Sequence, residues 1–309
     1  MSFVVVTPAL TRTQKLLSHV DESLPFRSGR AIRDPDVVAF IEKLEAERIL
    51  CTTIENSDLR VEFLRTFPEW LRSSKKNQIK NLEALPYVSC SHGTLQAFDA
   101  FHAEYRHRRF RCFKGEYMYH GATWRHGYSF QFLEDAPIEK SDAVVISLPF
   151  TDSGSKHPLM DEVILACNRL DVPVLLDCSY MNIAGGIEVD VDQPCIKVLA
   201  FSLSKTFYGL SKLRIGVRFK KEFNDDIVDI CNTAGGVNLY SCALGLAFIK
   251  EFDVDFNHTR YREKQLAVCA RLDVEASDSV IFGLGDERWN AYNRGGRYNR
   301  LCLSSLLEE

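Results

Sequence analysis

The chain has 309 residues, of which 46% are hydrophobic, and a formal net charge of −4. A globular chain of this size can fill one large domain or a large and a small one. Its mild negative charge gives no sign of a nucleic-acid or polyanion partner. We interpret the short basic cluster RHRRFR at 106–111, which has acidic residues near it, as a solvated helix end.

The ten cysteines occur singly, without the paired spacing of a zinc site or of a small disulfide framework. We expect reduced, mostly buried thiols and a cytoplasmic location. The N-terminal sequence MSFVVVTPALTRTQKLL has no charged region before an apolar core. No stretch of the chain approaches about 18 uninterrupted apolar residues, so we expect neither export nor a membrane span.

The first 80 residues are charged and have a helical pattern. The segment DPDVVAFIEKLEAERI (34–49) begins with an acidic cap and a proline and keeps its apolar residues at helical spacing. The segment DLRVEFLRTFPEWLRSS (58–74) has a similar pattern. We expect a peripheral helical layer and assign residues 1–80 to a segment that contributes to a small domain.

From about residue 85 the sequence changes to short β-rich runs separated by helical stretches. The runs are PYVSCS, YSFQFL, DAVVISLPF, VPVLLDCSY and KVLAFSLSK, and the stretches include GTLQAFDAFHAEY and PLMDEVILACNRL. This alternation predicts an α/β fold with a mostly parallel central sheet and helices on both faces. We assign 81–245 to the large domain and 246–309 to a reduced C-terminal small domain, with GGRYNRLCLSSLL as a last strand and helix.

Polar groups follow four of the predicted strands, in SHGT (91–94), LPFTDSG (148–154), DCSY (177–180) and SLSK (202–205). Ligands of open α/β sheets bind at the carboxyl ends of the strands. SHGT opens a predicted helix, whose free backbone N–H groups suit a phosphate. These four segments therefore indicate a ligand site.

The charged residues of these segments have complementary chemistry. Asp177 ends a wholly apolar strand, so it needs a cationic or protonated partner to offset the cost of burial. Lys205 follows another apolar run and is a candidate nucleophilic amine that forms a Schiff base. Ser202, Ser204 and Arg214 supply hydrogen-bond donors suited to an anion. With nearby aromatic residues, these are the groups that hold pyridoxal 5'-phosphate.

The order SHGT, GEYMYHGATWRHG, SLPFTDSG, DCSY, SLSKTF and LRIG resembles the fold-type I pyridoxal-phosphate-dependent enzymes. The resemblance is to the class I/II aminotransferases related to aspartate and histidinol-phosphate aminotransferases, and it is closest over 85–216. It implies that family's fold, pyridoxal 5'-phosphate as cofactor, small amino-acid substrates and a homodimer.

The resemblance assigns roles to individual residues. Lys205 is similar to the lysine that forms the internal aldimine, Asp177 to the carboxylate that keeps the pyridine nitrogen protonated, and Tyr180 to the phenol that contacts the ring hydroxyl. The implied cofactor-binding residues are His92, Gly93, Thr94, Tyr117, Thr151, Asp177, Tyr180, Ser202, Ser204, Lys205 and Arg214. Arg300 resembles the arginine that binds the substrate α-carboxylate, and Gly29 loosely resembles the small residue facing that group.

Each residue has another interpretation when taken alone. Tyr117 could be ordinary core, Asp177 a strand-end cap and Arg300 a surface ion pair. The joint pattern is more specific, because DxxY is followed by SxSK after 25 residues and then by an arginine.

The sequence also departs from the family pattern. LPFTDSG stands where the family reads NPTG, so either Thr151 or Asp152 replaces an asparagine. Lys205 precedes Arg214 by nine residues, one more than usual, and the loop must bulge near Tyr208. The small domain is shortened. No clear cross-subunit tyrosine precedes LRVEFL, and NTAGGVNLYS (232–241) is the candidate cross-subunit segment.

These features predict an aminotransferase that acts on an amino acid and a 2-oxo acid through aldimine and quinonoid chemistry at Lys205. A lyase, cyclase or oxidase that eliminates or replaces a β- or γ-substituent is the alternative. A non-catalytic relative of the fold is a third interpretation.

Overall fold

The computed structural model describes residues 25–44, 49 and 58–308. The N-terminal sequence MSFVVVTPALTRTQKLL and residues 45–48 of the first predicted helix lie outside the described residues. The helices are α1 (Pro35–Lys43), α2 (Leu59–Arg72), α3 (Gly93–Glu104), α4 (Met118–Gly121), α5 (Met160–Leu170), α6 (Ile227–Thr233), α7 (Leu239–Glu251), α8 (Phe256–Leu272) and α9 (Ser304–Leu307). The strands are β1 (Gln78–Lys80), β2 (Tyr87–His92), β3 (Arg109–Cys112), β4 (Phe130–Phe132), β5 (Asp142–Ser147), β6 (Val174–Asp177), β7 (Glu188–Asp190), β8 (Ile196–Ser202), β9 (Ile215–Lys220), β10 (Glu275–Ala276), β11 (Phe282–Gly285) and β12 (Asn299–Cys302).

The two N-terminal helices form where the sequence predicts them. Asp34 caps α1, because its carboxylate accepts the backbone N–H groups of Asp36 and Val37 at 2.8 and 3.1 Å. The expectation that this region is peripheral is wrong for α2. Phe63 and Phe67 of α2 are fully buried in the largest core cluster, since its apolar side packs against α7 and the sheet.

The central sheet has seven strands in the order β2-β9-β8-β6-β5-β3-β4. Neighbouring strands are parallel except where β9 pairs with β2 and β8. This confirms the predicted α/β fold with a mostly parallel sheet. The five predicted β-rich runs correspond to β2, β4, β5, β6 and β8.

Both faces of the sheet are covered, because alternate residues of a strand point to opposite faces. In β5, Val144 and Ile146 belong to the largest core cluster, with side chains of α2, α5 and α7. Ala143 and Val145 belong to a second cluster with α3. Strands that are buried on both faces have nearly continuous apolar sequences, and this pattern predicted them here.

The interpretation of RHRRFR as a solvated helix end is wrong for residues 109–111, which lie in β3. Arg111 is fully buried. Its Nη1 lies 2.6 Å from the Asp142 carboxylate, and its other N–H groups donate to the backbone carbonyls of Gln131, Phe132, Ala136 and Pro137. A cation can be buried in β3 because this acid, 31 residues away, neutralises it.

A smaller antiparallel sheet, β10-β11-β12, packs with α8 and α9 around a separate core cluster. Phe26 forms a β-bridge to Cys302, so the beginning of the described chain joins its end. GGRYNRLCLSSLL contains β12 and α9, as predicted. Among the described residues, no helix combines the length and apolar character needed to cross a bilayer.

Candidate active site

A cavity of about 200 Å³ lies where β2, β6 and β8 end. Ten of the thirteen predicted site residues line it: Gly29, Thr94, Tyr117, Thr151, Asp177, Tyr180, Ser202, Ser204, Lys205 and Arg214. Gly93 lies beside it, and His92 and Arg300 do not line it. The predicted carboxylate and the predicted amine therefore face one common space.

Asp177 is the last residue of β6 and is buried. Its carboxylate accepts hydrogen bonds from the backbone N–H and the hydroxyl of Ser179, at 3.0 and 2.5 Å. Burial raises the pKa of this carboxyl to about 7, against the lowering effect of the Ser179 hydrogen bond, and nearby Glu116 raises it further. No cationic side chain among the described residues forms an ion pair with it. The carboxyl thus has room for a cationic partner in the cavity.

Lys205 follows β8 and is half-buried. Its Nζ donates a hydrogen bond to the backbone carbonyl of Gly29 at 2.7 Å. A carbonyl holds the amine in place without neutralising it. Within the described residues the amine has no carboxylate partner, so it is available to a ligand in the cavity.

One end of the cavity has hydrogen-bond donors and a backbone geometry that suit an anion. Gly93 begins α3, and its N–H donates to the Arg214 carbonyl at 2.8 Å. The φ of Gly93 is +64°, and a Cβ there would lie 2.3 Å from Arg214 Nη2, so only glycine allows this approach. Ser202 donates to the Ser204 hydroxyl at 2.8 Å on the same side. These groups and the helix N-terminus surround a space suited to a phosphate.

The loop between Lys205 and Arg214 has an irregular path, as the extra residue predicts. It contains a 3-10 turn at Leu210–Lys212, with Gly209 at φ +84° and Arg214 at φ +53°. A left-handed conformation costs a residue other than glycine roughly 1 kcal/mol. The loop nevertheless brings Arg214 to the cavity.

His92 does not reach this cavity with its side chain. The residues around it, Ser91 and Gly93, are buried, whereas His92 is exposed and lines a neighbouring cavity with Gln96. Its backbone N–H donates to the Gln96 side-chain oxygen at 2.9 Å. The prediction placed His92 with the cofactor because it belongs to SHGT, but its strand position directs the imidazole away.

Aromatic side chains line the middle of the cavity. Tyr117 immediately precedes α4, and its ring stacks at 15° to the ring of Tyr119, with 6.2 Å between centroids. Tyr180 packs edge-on against Phe282, at 5.2 Å between centroids. A Cβ on Gly29 would lie 2.8 Å from the Tyr180 hydroxyl, so the small residue at 29 keeps this phenol at the cavity.

Of the two residues that could replace the family's asparagine, Thr151 lines the cavity and Asp152 does not. Thr151 donates to the Ser147 hydroxyl at 3.1 Å. Asp152 is fully buried and accepts the backbone N–H of Tyr298 at 3.0 Å. Burial raises the pKa of the Asp152 carboxyl. Of the two residues, Thr151 is therefore the one that can contact a ligand in the cavity directly.

Glu116 was not predicted from the sequence, yet it supports the cavity from behind. Its buried carboxyl accepts the Ser147 N–H at 2.8 Å, the Ser147 hydroxyl at 2.5 Å and the Tyr117 N–H at 2.8 Å. Burial raises the pKa of Glu116. Through Ser147 it is connected to Thr151, so a second buried carboxyl lies close behind the first, Asp177.

Two arginines lie at the other end of the site. Arg300, in β12, is fully buried, and its Nη1 donates to the Thr151 carbonyl. Its Nε and Nη2 have no hydrogen-bond partner among the described residues, which suits a carboxylate ligand. Arg294, which the sequence did not indicate, lines the cavity itself. Burial and the charge of Arg300 lower the pKa of Arg294.

The structure is similar to solved aminotransferases. A pyridoxal-phosphate-bound protein from Clostridium difficile 630, with a provisional aminotransferase assignment, is 12% identical with a TM-score of 0.62, over 92% of this chain and 89% of that one. An aminotransferase from Staphylococcus aureus is 12% identical with a TM-score of 0.61, over 97% and 100%. Tyrosine aminotransferase from Leishmania infantum is 14% identical with a TM-score of 0.57, over 99% and 98%.

No protein-family model matches the sequence, and no curated protein matches it significantly. At these identities the structural likeness shows the fold. The chain has the fold of the fold-type I aminotransferases, as the resemblance implied.

Proposed function

We propose that this chain is a pyridoxal-phosphate-dependent aminotransferase that acts on a small amino acid and a 2-oxo acid. The observation that carries the proposal is that Asp177 and Lys205 line one cavity, at the strand ends where open α/β sheets bind ligands. The fold shared with aminotransferases, one of them solved with pyridoxal phosphate bound, supports it.

The residues present fit this cofactor. Asp177 is buried without a cationic partner among the described residues, and a protonated ring nitrogen would supply one. The close approach of Gly93 to Arg214, which a Cβ would block, leaves backbone and guanidinium donors for a phosphate. Tyr117 would pack against the ring, and Tyr180 and Thr151 would offer hydroxyl groups to it.

When bound, pyridoxal phosphate supplies an aldehyde that forms an imine with an amine and a cationic ring that accepts electrons from the substrate Cα. Asp177 would hold a proton on the ring nitrogen. Lys205 Nζ would bind the aldehyde group and, as a free amine in the same cavity, would move the proton of the substrate Cα as base and acid. Arg300, which is fully buried, and Arg294, which is half-buried and lines the cavity, would together hold the substrate carboxylate.

We also propose that the active protein is a homodimer, as the family resemblance implies. The candidate cross-subunit segment 232–241 connects α6 to α7. Its residues Thr233–Gly236 are exposed, so they are free to contact a second copy.

An absorbance titration tests the cofactor. Addition of pyridoxal phosphate to the wild-type chain should give a visible band, and Lys205→Ala should abolish it. Lys212→Ala is the matched control, because Lys212 is an exposed lysine of the same loop and should leave the band intact. A wild-type chain that gives no band would support the non-catalytic interpretation.

The type of reaction is tested with an amino acid alone. A transaminase should stop after one turnover and accumulate pyridoxamine phosphate, and a 2-oxo acid should restart it. Continuous product formation without a 2-oxo acid would instead identify the lyase, cyclase or oxidase alternative. Mass analysis of cofactor and product over a panel of amino acids gives the substrate.

A further inference from the structure

Two buried cysteines outside the proposed active site lie almost within bonding distance. Cys90 is in β2 and Cys242 is in the first turns of α7, and their Sγ atoms are 3.2 Å apart. A disulfide bond is about 2.04 Å long, so a small shift would join them. Cys90 is also held firmly, because the Asn232 side chain bonds both its backbone N–H and its carbonyl, at 2.9 and 2.8 Å.

The two thiols are within reach of a small oxidant. Both line a second cavity of about 310 Å³, whose other lining residues include the exposed His92 and the half-buried Gln96, outside the candidate cross-subunit segment. Cys231 lines the same cavity and is half-buried. By contrast, Cys112 and Cys178 are buried in the protein without lining this cavity, and burial raises the pKa of both thiols.

The surroundings of Cys242 favour its thiolate. The hydrogen bond with Cys90 and the charge of Arg60 lower the pKa of Cys242. The hydrogen bond with Cys242 and burial raise the pKa of Cys90. Cys242 also lies near the N-terminus of α7, where the helix dipole stabilises an anion. We therefore expect Cys242 to react first with an oxidant and Cys90 to react second.

We propose that Cys90 and Cys242 form a reversible oxidation site for a peroxide. Hydrogen peroxide oxidises the Cys242 sulfur to a sulfenic acid and is itself reduced, which releases one water. The Cys90 sulfur then attacks the Cys242 sulfur, the S–O bond breaks and a second water leaves as the disulfide forms. The two thiols together supply the two electrons that reduce one peroxide, and a dithiol reductant reverses the change.

The disulfide would act on the anion end of the active site. Cys90 lies three residues before Gly93, and Ser241, next to Cys242, donates to the Leu213 carbonyl at 2.7 Å. Leu213 directly precedes Arg214, whose carbonyl accepts the Gly93 N–H. The bond therefore ties together the two elements that position this contact. The expected loss of pyridoxal phosphate affinity on oxidation rests on the proposed function, whereas disulfide formation does not.

Peptide mapping of the full chain tests the site. After hydrogen peroxide treatment and before any thiol is blocked, the intact mass should fall by about 2 Da, for two hydrogens. Blocking of the free thiols should then label two cysteines fewer than in the reduced chain. Trypsin should release residues 81–106, which contain Cys90, cross-linked to 222–250, which contain Cys231 and Cys242. Because the second peptide carries two cysteines, Cys231→Ser is the matched variant and should keep the cross-link, whereas Cys242→Ser should lose it.

The outcomes are distinct. A cross-link that survives in Cys231→Ser and disappears with a dithiol reductant supports the proposal. A cross-link through Cys231, or oxidation of Cys90 or Cys242 to sulfinic acid without a cross-link, would overturn it. A fluorescence titration of the oxidised and reduced wild-type chain with pyridoxal phosphate gives the affinity, which should be lower when oxidised. Equal affinities would overturn the effect on the active site, and no binding by the reduced chain would count against the proposed function instead.

Discussion

Asp177 is a residue whose protonation depends on what the cavity contains. Without the cofactor its carboxyl has a pKa of about 7 in the folded chain, whereas in an unfolded chain it ionises near its ordinary value of 3.8. Because the folded chain binds this proton more tightly than the unfolded chain does, the free energy of unfolding decreases as the pH rises from 3.8 through 7. The ionised carboxyl is therefore a stability cost that cofactor binding relieves.

Asp177→Asn should for this reason stabilise the cofactor-free chain. The gain should be about 2–4 kcal/mol at pH 8 and smaller at pH 5, because the wild-type carboxyl is mostly neutral in the folded chain at pH 5. Urea unfolding at both pH values measures it. The same variant should lose transamination activity by roughly a hundredfold or more. An equal change in stability at the two pH values would contradict the assigned pKa.

Arg300→Ala should raise KM for carboxylate substrates strongly, because two of its buried donors have no other partner among the described residues. A lost charge-assisted hydrogen bond corresponds to a rise of roughly 10- to 100-fold. Steady-state kinetics measure it, with circular dichroism to check the fold. Arg297→Ala, at an exposed arginine of the same segment, should leave KM unchanged. An unchanged KM in Arg300→Ala would reject this role.

The sequence could predict Asp177 and Lys205 because each directly follows an apolar run whose strand end is at the ligand-binding edge. It could not predict Arg294, because that residue reaches the cavity through the path of a loop, which the Asn293 side chain braces by bonding the carbonyls of Gly296 and Tyr298. Glu116 was missed since a lone glutamate in a sequence reads as a surface residue.

At the scale of elements, the ion pair between Arg111 of β3 and Asp142 of β5 is completely buried. Asp142→Ala should destabilise the protein by about 3–5 kcal/mol, because it leaves the Arg111 guanidinium buried without a counter-charge. The double variant Arg111→Met/Asp142→Leu should recover most of this loss. Denaturant unfolding compares the three chains. A double variant as unstable as Asp142→Ala would show that lost packing, and not the unpaired charge of Arg111, causes the destabilisation.

Helices α3 and α4 meet through buried histidines. The rings of His102 and His120 lie 6.0 Å apart, and three of their nitrogens have no hydrogen-bond partner among the described residues. Burial, with a smaller contribution from His126, lowers the pKa of His102 to about 4. Burial also lowers the pKa of His120 well below its ordinary value. An unfolded chain protonates these rings near pH 6.5.

The contribution of these histidines to stability should therefore fall as the pH drops from 6.5 toward 4, since the unfolded chain binds protons that the folded chain excludes. Asp177 contributes with the opposite sign over this range and reduces the net slope. Thermal unfolding across this range measures the slope. His102→Phe should reduce the slope but not remove it, because burial also lowers the pKa of His157 to about 4. A slope identical to that of the wild type would contradict the assignment to His102.

Within the central sheet, β3 and β9 were the two strands that the sequence pattern missed. Both carry cations that read as surface residues, such as Arg111 and Arg218. In the structure these cations are buried, because acids outside each strand pair with them, Asp142 in the first case and Asp226 and Asp229 in the second. The periodicity of a strand cannot reveal a partner outside it, whereas the wholly apolar strands need no partner and were predicted correctly.

For the whole molecule, the dimer is the main prediction. Light scattering on the purified chain should give about 70.4 kDa, which is twice 35.2 kDa. Substitution of exposed residues in 233–236 by charged ones should shift the protein toward a single chain and reduce activity if the site is shared. A single-chain mass at full activity would contradict the dimer.

The overall fold could be predicted because the order of the polar segments that follow the strands is specific to one family of α/β folds. The pairing of strands is less accessible to sequence reasoning. The bridge between Phe26 and Cys302 joins residues far apart in the chain, and nothing in either local sequence indicates the other.

The direction of β9 explains how this chain tolerates a longer segment between its key lysine and arginine. Because β9 runs opposite to β8, the two strands and the residues between them form a hairpin. Lys205 lies just after the end of β8, and Arg214 lies just before the start of β9. An inserted residue lengthens only the tip of that hairpin and leaves the pairing of Ser202 with Gly216 in place. Evolution can therefore vary the tip without moving either charged group.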